Sequence, residues 1–283
     1  FLMIIWIASY PKSGNTWLRA LLSSYFYSIN GDFNFKLLDN IDAFPSERFF
    51  KNYTDKFNRP EDTCKYWINE QEKINKLKKY TFLKTHNALC KINNNTFTNN
   101  KNSVGAIYIV RDPRNLITSI SNHYQITTKD ALKFMMDEKK ATFVKKEERY
   151  VAFQPILSWP LNKKSWLKNS MFPILTIKYE ELISETFLTF KKIITFINKI
   201  TNSKTSIDRS KIINSIKNCE FDKLKKLEDK QGFSEAPYKK NSKTPIKFFN
   251  LGKKNDWKNI LDTEIIKEIE LNFKKEMEEL GYL

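Results

Sequence analysis

The sequence predicts an α/β fold, a single domain over residues 3–283 in three layers, with a central parallel sheet flanked by helices. Three observations carry that prediction. Four short apolar runs, at residues 4–8, 81–84, 105–110 and 174–177, read as strands of a buried parallel sheet. Each is followed by residues that carry chemistry, Lys12, His86, Arg111 and Tyr179, and ligands of a doubly wound sheet sit beyond the carboxyl ends of its strands. Helical patterns follow several of the runs, and the 283 residues suffice for one large domain with no Pro-, Ser- or Gly-rich linker to divide it.

The first run, inside MIIWIAS, is far too short to cross a membrane and serves as the first core strand. Residues 9–19, SYPKSGNTWLR, follow it and open a helix over residues 16–27 that carries Trp17, Leu21, Leu22 and Tyr25. A loop between a buried strand and a helix N-terminus is where a protein binds a phosphate-like group. Ser13, Gly14, Asn15 and Thr16 would direct N–H groups and hydroxyls at an anion, the helix dipole favours negative charge there, and Lys12 adds a full positive charge. The lysine precedes a single glycine, so the loop is not the G-x-x-x-x-G-K-[ST] of nucleotide triphosphatases.

The second run lies in FLKTH (82–86), with Lys84 on the strand and His86 just past its end. An imidazole near its ordinary pKa is matched to general-base work at neutral pH. The third run leads into RDPRNLITS, where Asp112 and Pro113 signal a turn and the start of a helix over residues 115–123. His123, in that helix, reads as structural. The fourth run leads into Tyr179, and helical spacing returns over residues 187–196 and 265–280, the latter through Ile265, Ile269, Phe273, Met277 and Leu280.

Three stretches lie outside this framework. Residues 31–80 are rich in aromatics, among them Phe33, Phe35, Phe44, Phe49, Phe50, Tyr53, Phe57, Tyr66 and Trp67, which would line a pocket or fill a core. Residues 124–165 form a second such region. Residues 229–249 hold Gly, Ser, Pro and many Lys with few periodic apolar positions, and read as a long surface loop with the character of a lid.

The net charge of +17 attracts anionic ligands, but the lysines are dispersed rather than gathered with aromatics on one face, so no nucleic-acid partner is expected. Cys64, Cys90 and Cys219 are odd in number and widely spaced, which suggests reduced thiols in a cytoplasmic protein and neither a disulfide framework nor a metal site.

SYPKSGNTWLR resembles the 5′-phosphosulfate loop, usually written YPKSGTTW, of sulfotransferases that use 3′-phosphoadenosine 5′-phosphosulfate (PAPS) and release 3′-phosphoadenosine 5′-phosphate (PAP). The likeness recurs in order: FLKTH resembles the segment of the catalytic histidine, YIVRDPRNLITS (108–119) the 3′-phosphate site, and ILTIKYEEL (174–182) the segment near the adenine. FDKLKKLE (221–228) and GKKNDWKN (252–259) resemble the family's last two elements.

The resemblance implies a P-loop-like sulfotransferase fold that moves a sulfuryl group from PAPS, with no metal, to an acceptor hydroxyl or less often an amine. The acceptor would be a small molecule, glycan or lipid, lined by segments 31–80 and 124–165, with the lid over 229–249. It implies His86 as general base, Lys12 on the leaving phosphate and Lys84 at the sulfuryl oxygens or helping to close the site. The donor would be held by Lys12, Ser13, Gly14, Asn15 and Thr16 at the 5′-phosphate, by Arg111 and Ser119 at the 3′-phosphate, and by Trp17, Tyr179 and Phe221 at the adenine. The family's RKG is replaced by Asn250-Leu251-Gly252, so Gly252 alone is kept and Lys253 and Lys254 would supply the missing charge. SWPLNKKSW (158–166) is similar to SWxxHxxSW of bacterial members, with Asn162 at the histidine position. The rival readings are a nucleotide kinase and a non-catalytic module that binds polyanions.

Overall fold

Alternation along the first strand divides the molecule into its layers. In β1 (Met3–Ser9) Ile5 and Ile7 face one apolar cluster while Ile4, Trp6 and Ala8 face another, and all five are fully buried. The computed structural model describes residues 3–57, 59–77, 80–142, 153–239, 242 and 244–283.

β2 (Asp42–Ala43), β3 (Tyr80–Thr85), β4 (Ser103–Val110) and β5 (Ile174–Lys178) complete the sheet in the order β2-β3-β1-β4-β5, and every neighbouring pair is parallel. Ala8 lies opposite Thr85, Ser9 opposite Ile109, and Val110 opposite Lys178. This register delivers Tyr10, His86, Arg111 and Tyr179 to one edge of the sheet. The chain also changes sides there, from β3 on one flank of β1 to β4 on the other, which makes the end of β1 a topological switch point.

Helices cover both faces. On the first, α1 (Asn15–Tyr27) contributes Leu18, Leu21 and Leu22, and a long helix at Thr186–Ile200 contributes Phe190, Ile193, Ile194 and Ile197. Each such side chain is worth about 1.5–3 kcal/mol when fully buried. On the second face Phe44, Phe50, Phe57 and Trp67 pack with Trp6, Phe97 and Trp166, and Phe49, Tyr53 and Tyr66 pack against them. Most aromatics of residues 31–80 therefore fill this core.

A third cluster joins α2 (Pro113–Tyr124) to the C-terminal helix Thr263–Leu280 through Leu116, Ile117, Ile120, Ile265, Ile269, Phe273 and Met277. Asp112 caps α2 by accepting from the Arg114 N–H at 2.9 Å. The buried Arg114 guanidinium returns to Asp112 and also donates to Glu270 and the Tyr282 carbonyl, fastening the C-terminus to α2. Among the described residues no helix is long and apolar enough to cross a membrane.

Candidate active site

The strand ends open into a cavity of about 1480 Å³. A pocket for one drug-sized molecule is about 300–1,000 Å³, so this one has room for two ligands side by side.

Its floor is the loop after β1. Lys12 has φ 68° and Gly14 φ 100°, both in the left-handed region. Lys12 is held there without glycine's freedom, a strain that the loop's function must repay. At Gly14 a Cβ would lie 2.3 Å from Cδ2 of Tyr179, so any larger residue would have to displace the ring and would itself be strained at this φ. The turn hands the chain to α1, whose first N–H groups, at Asn15 and Thr16, have no partner within the helix. The Ser13 hydroxyl is buried and unpartnered. Asn15 differs from the expectation: its carboxamide turns inward and donates to the Ile7 carbonyl at 2.9 Å and the Ser9 hydroxyl at 3.2 Å, which leaves the backbone N–H for an anion.

Lys12 Nζ sits 3.9 Å from the centre of the Phe248 ring and 3.4 Å from Nδ1 of His123. Burial, with Lys84 and Arg111 nearby, lowers its pKa to about 7. His123 thus belongs to the cavity, and burial beside Lys12 holds it neutral. Nothing in its local sequence set it apart.

His86 is fixed by its neighbours. Its Nδ1–H donates to the Ser9 carbonyl at 2.8 Å, which leaves Nε2 as the basic nitrogen. Burial and the Lys84 charge lower its pKa to about 3, so the ring is neutral at physiological pH. The helix Trp159–Leu167 clamps the backbone beyond it. Asn162 donates to the His86 carbonyl at 3.0 Å and accepts from the Tyr108 hydroxyl at 2.7 Å, Trp166 donates to the Asn87 carbonyl, and Ser165 accepts from the Leu89 N–H. The residue at the histidine position of SWxxHxxSW is here a fully buried brace for the His86 segment.

Arg111 is buried and donates to the Lys12 carbonyl at 2.9 Å and the Ser119 hydroxyl at 3.2 Å, with its guanidinium 4.4 Å from the Tyr179 ring centre. Its Nε is buried without a partner. The buried Asn255 donates to Ser119 at 3.1 Å and accepts from Thr118, locking the NDWK element onto α2. Trp17 donates to the Cys219 carbonyl at 2.9 Å and meets Tyr179 edge-on with ring centres 6.0 Å apart. Gly252, at φ 56°, lies against Phe221, where a Cβ would come within 2.6 Å of the ring. Trp17, Ser119, Tyr179, Phe221 and Gly252 all line the cavity. Among the described residues Lys254 is exposed and does not line it, and the Lys253 side chain lies outside what the structure describes.

The stretch 229–249 is anchored where it is described. Glu228 accepts from the N–H groups of Phe248 and Phe249, and Phe233, Phe248 and Phe249 pack on one another, with Phe35 against Phe233. This places Glu235 in the cavity, bridging Arg19 and Lys84. The available signal was that Glu235 is the only acid between Lys230 and Asn255. Among the described residues no group of three or more His, Cys, Asp or Glu is placed to hold a metal.

The sulfotransferase domain model matches residues 4–281. The chain belongs to the sulfotransferase family. A flavonol 3-sulfotransferase of Flaveria bidentis is 27% identical over 277 residues, 94% of this chain and 79% of that protein. A mouse sulfotransferase crystallised with PAP superposes with a TM-score of 0.55 at 17% identity, covering 98% of this chain and 84% of that one. A retinol dehydratase in complex with androsterone and PAP also gives 0.55, at 16% identity over 97% of this chain and 80% of that one. The enzyme is a PAPS-dependent sulfotransferase, and the kinase and polyanion-module readings have no support.

The residues present fit the donor. Lys12, the start of α1 and Arg111 line the cavity, and the Ser13 hydroxyl and Arg111 Nε beside them are buried without partners.

Proposed function

We propose that the enzyme sulfates a hydroxyl of a small, ring-bearing acceptor, with His86 as general base and with Lys12 and Lys84 as the cations of the reaction centre. The carrying observation is the tautomer of His86: with Nδ1–H spent on Ser9, the ring presents Nε2 as a proton acceptor between two lysines. PAPS supplies the sulfuryl group and a phosphate as leaving group. Ser13, Gly14, Asn15 and Thr16 hold the 5′-phosphate through the loop's N–H groups and the Ser13 and Thr16 hydroxyls. Arg111 and Ser119 hold the 3′-phosphate, with Gly252 offering its backbone and Asn255 fixing the serine. Trp17, Tyr179 and Phe221 take the base. Lys12 stabilises the charge that grows on the leaving oxygen, and its native pKa near neutrality lets a bound phosphate recharge it. The lower His86 pKa keeps the ring unprotonated at neutral pH and makes it a weaker base than a free imidazole.

A ring-bearing acceptor suits the cavity, whose lining includes Phe35, Tyr124, Phe233 and Phe248 together with Asn34, Thr142 and Gln154. These come from segments 31–80 and 124–165 and from the stretch 229–249, which we assign as the lid. The flavonol sulfotransferase relative supports the same class. Free thiols at Cys64, Cys90 and Cys219 accord with a cytoplasmic location.

The test pairs single-turnover kinetics with calorimetric PAP binding on His86→Ala. The expected result is turnover lowered about 100- to 10,000-fold with PAP affinity held, since a base acts on the acceptor rather than the donor. Near-normal turnover would remove His86 from the mechanism.

A further inference from the structure

Glu235 is a carboxylate in a reaction centre otherwise built from cations. One oxygen accepts from Arg19 Nη1 at 2.5 Å, and the other from Lys84 Nζ at 2.9 Å and the Thr16 hydroxyl at 3.5 Å. The arrangement is built rather than incidental. Arg19 is 4% exposed, and its Nη2 is committed to the carbonyls of Leu38 and Ile41 at 3.3 and 2.9 Å, so it is a fixed post on α1. The loop that brings Glu235 leaves its helix at Gly232, φ 73°, and is seated by the buried Phe233 in the phenylalanine cluster. The carboxylate is thereby held between α1 and the end of β3.

We propose that Glu235 is the counter-ion and positioning residue of Lys84: it fixes the ammonium at the reaction centre, keeps it charged, and leaves its other two N–H groups for the sulfuryl oxygens. The catalytic half of this rests on the reading above, in which Lys84 serves sulfuryl transfer.

The groups that face Lys84 favour a counter-ion. Two are cationic, Lys12 from the loop and Arg19 from α1, and two are neutral imidazoles, His86 from the end of the same strand and His123 from α2. Burial and Arg19 both lower the Lys84 pKa, and Glu235 opposes them. Glu235 itself is pulled well below the usual carboxylate range by Arg19 and Lys84 against the cost of its burial, so it stays ionised throughout the physiological range. A neutral Lys84 would lose one of its three N–H donors and the charge that makes them strong toward an anion.

The experiment follows the lysine signals of the ligand-free protein by NMR across a pH titration, with Lys84→Arg identifying the Lys84 resonance. In Glu235→Gln, Lys84 should titrate about 1–3 pH units lower than in the parent. With donor and acceptor saturating, kcat should fall about 10-fold or more, with a smaller change in donor KM. Glu235→Asp should recover part of both. Arg19→Gln/Glu235→Gln, which removes one charge of each sign and spares the core an unpaired cation, should retain a smaller downward shift. An unchanged Lys84 titration in Glu235→Gln overturns the proposal. A shifted titration with parental kcat keeps the counter-ion and removes Lys84 from the chemistry, which separates failure of this proposal from failure of the catalytic reading.

Discussion

Lys12 should make PAP binding depend on pH above neutrality. In the free protein its pKa is lowered from 10.5 to about 7, chiefly by burial and then by Lys84 and Arg111. Between these values the native protein has lost a proton that the unfolded chain keeps, so stability rises with pH through that window. A bound phosphate reverses the balance, because its charge beside Nζ favours the ammonium. Binding above about pH 7 must then take up a proton, and each further pH unit weakens affinity by up to about 10-fold, or about 1.4 kcal/mol. From about pH 7 to about pH 9 the loss reaches about 100-fold. The phosphate is no confounder, since its second ionisation lies near about 6. Calorimetry in buffers of different ionisation enthalpy measures the uptake directly. Parent enzyme should take up close to one more proton per PAP at about pH 8.5 than Lys12→Met. Lys12→Arg, charged throughout, should bind with little pH dependence in the same window and turn over poorly, because a planar guanidinium does not place its charge at one point. Equal proton uptake by parent and Lys12→Met would refute the argument.

Gly14→Ala should weaken PAP binding severely, since the new Cβ meets Tyr179 and the residue must adopt φ 100°, and a fluorescence titration of Trp17 with PAP would register the loss. Asn162→Ala orphans the buried Tyr108 hydroxyl and frees the His86 carbonyl, so thermal denaturation should show a loss of about 1–3 kcal/mol and kcat should fall with PAP affinity kept. Arg111→Ala should cost PAP far more affinity than adenosine 5′-phosphosulfate, which lacks the 3′-phosphate, as competition binding would show. Because Lys254 is exposed, Lys254→Ala should change PAP affinity little across a salt titration.

The four longer strands and the helices after them were readable because apolar runs and i, i+4 spacing report burial directly. β2 has two residues, too few to leave a period. The phosphate loop was readable as a motif, yet the motif does not say which way a side chain turns, and Asn15 points at β1. The aromatics of residues 31–80 carry no mark that separates core from pocket, and the structure sends Phe44, Phe50 and Trp67 to the core and Phe35 to the cavity. Glu235 was hidden for a different reason. Its function depends on Arg19 and Lys84, 216 and 151 residues away in the chain, and a long loop has no periodicity to predict that meeting.

The most direct measurement is turnover of PAPS against a panel of phenols, flavonols and alicyclic alcohols, with the product identified by mass spectrometry and PAP counted by chromatography. One sulfated acceptor is expected for each PAP released, on a hydroxyl of a ring-bearing compound, in metal-free buffer, and almost none from His86→Ala protein that still binds PAP. Undiminished sulfation by His86→Ala, or tight PAP binding by the parent with no sulfated product from any hydroxyl acceptor, would contradict it.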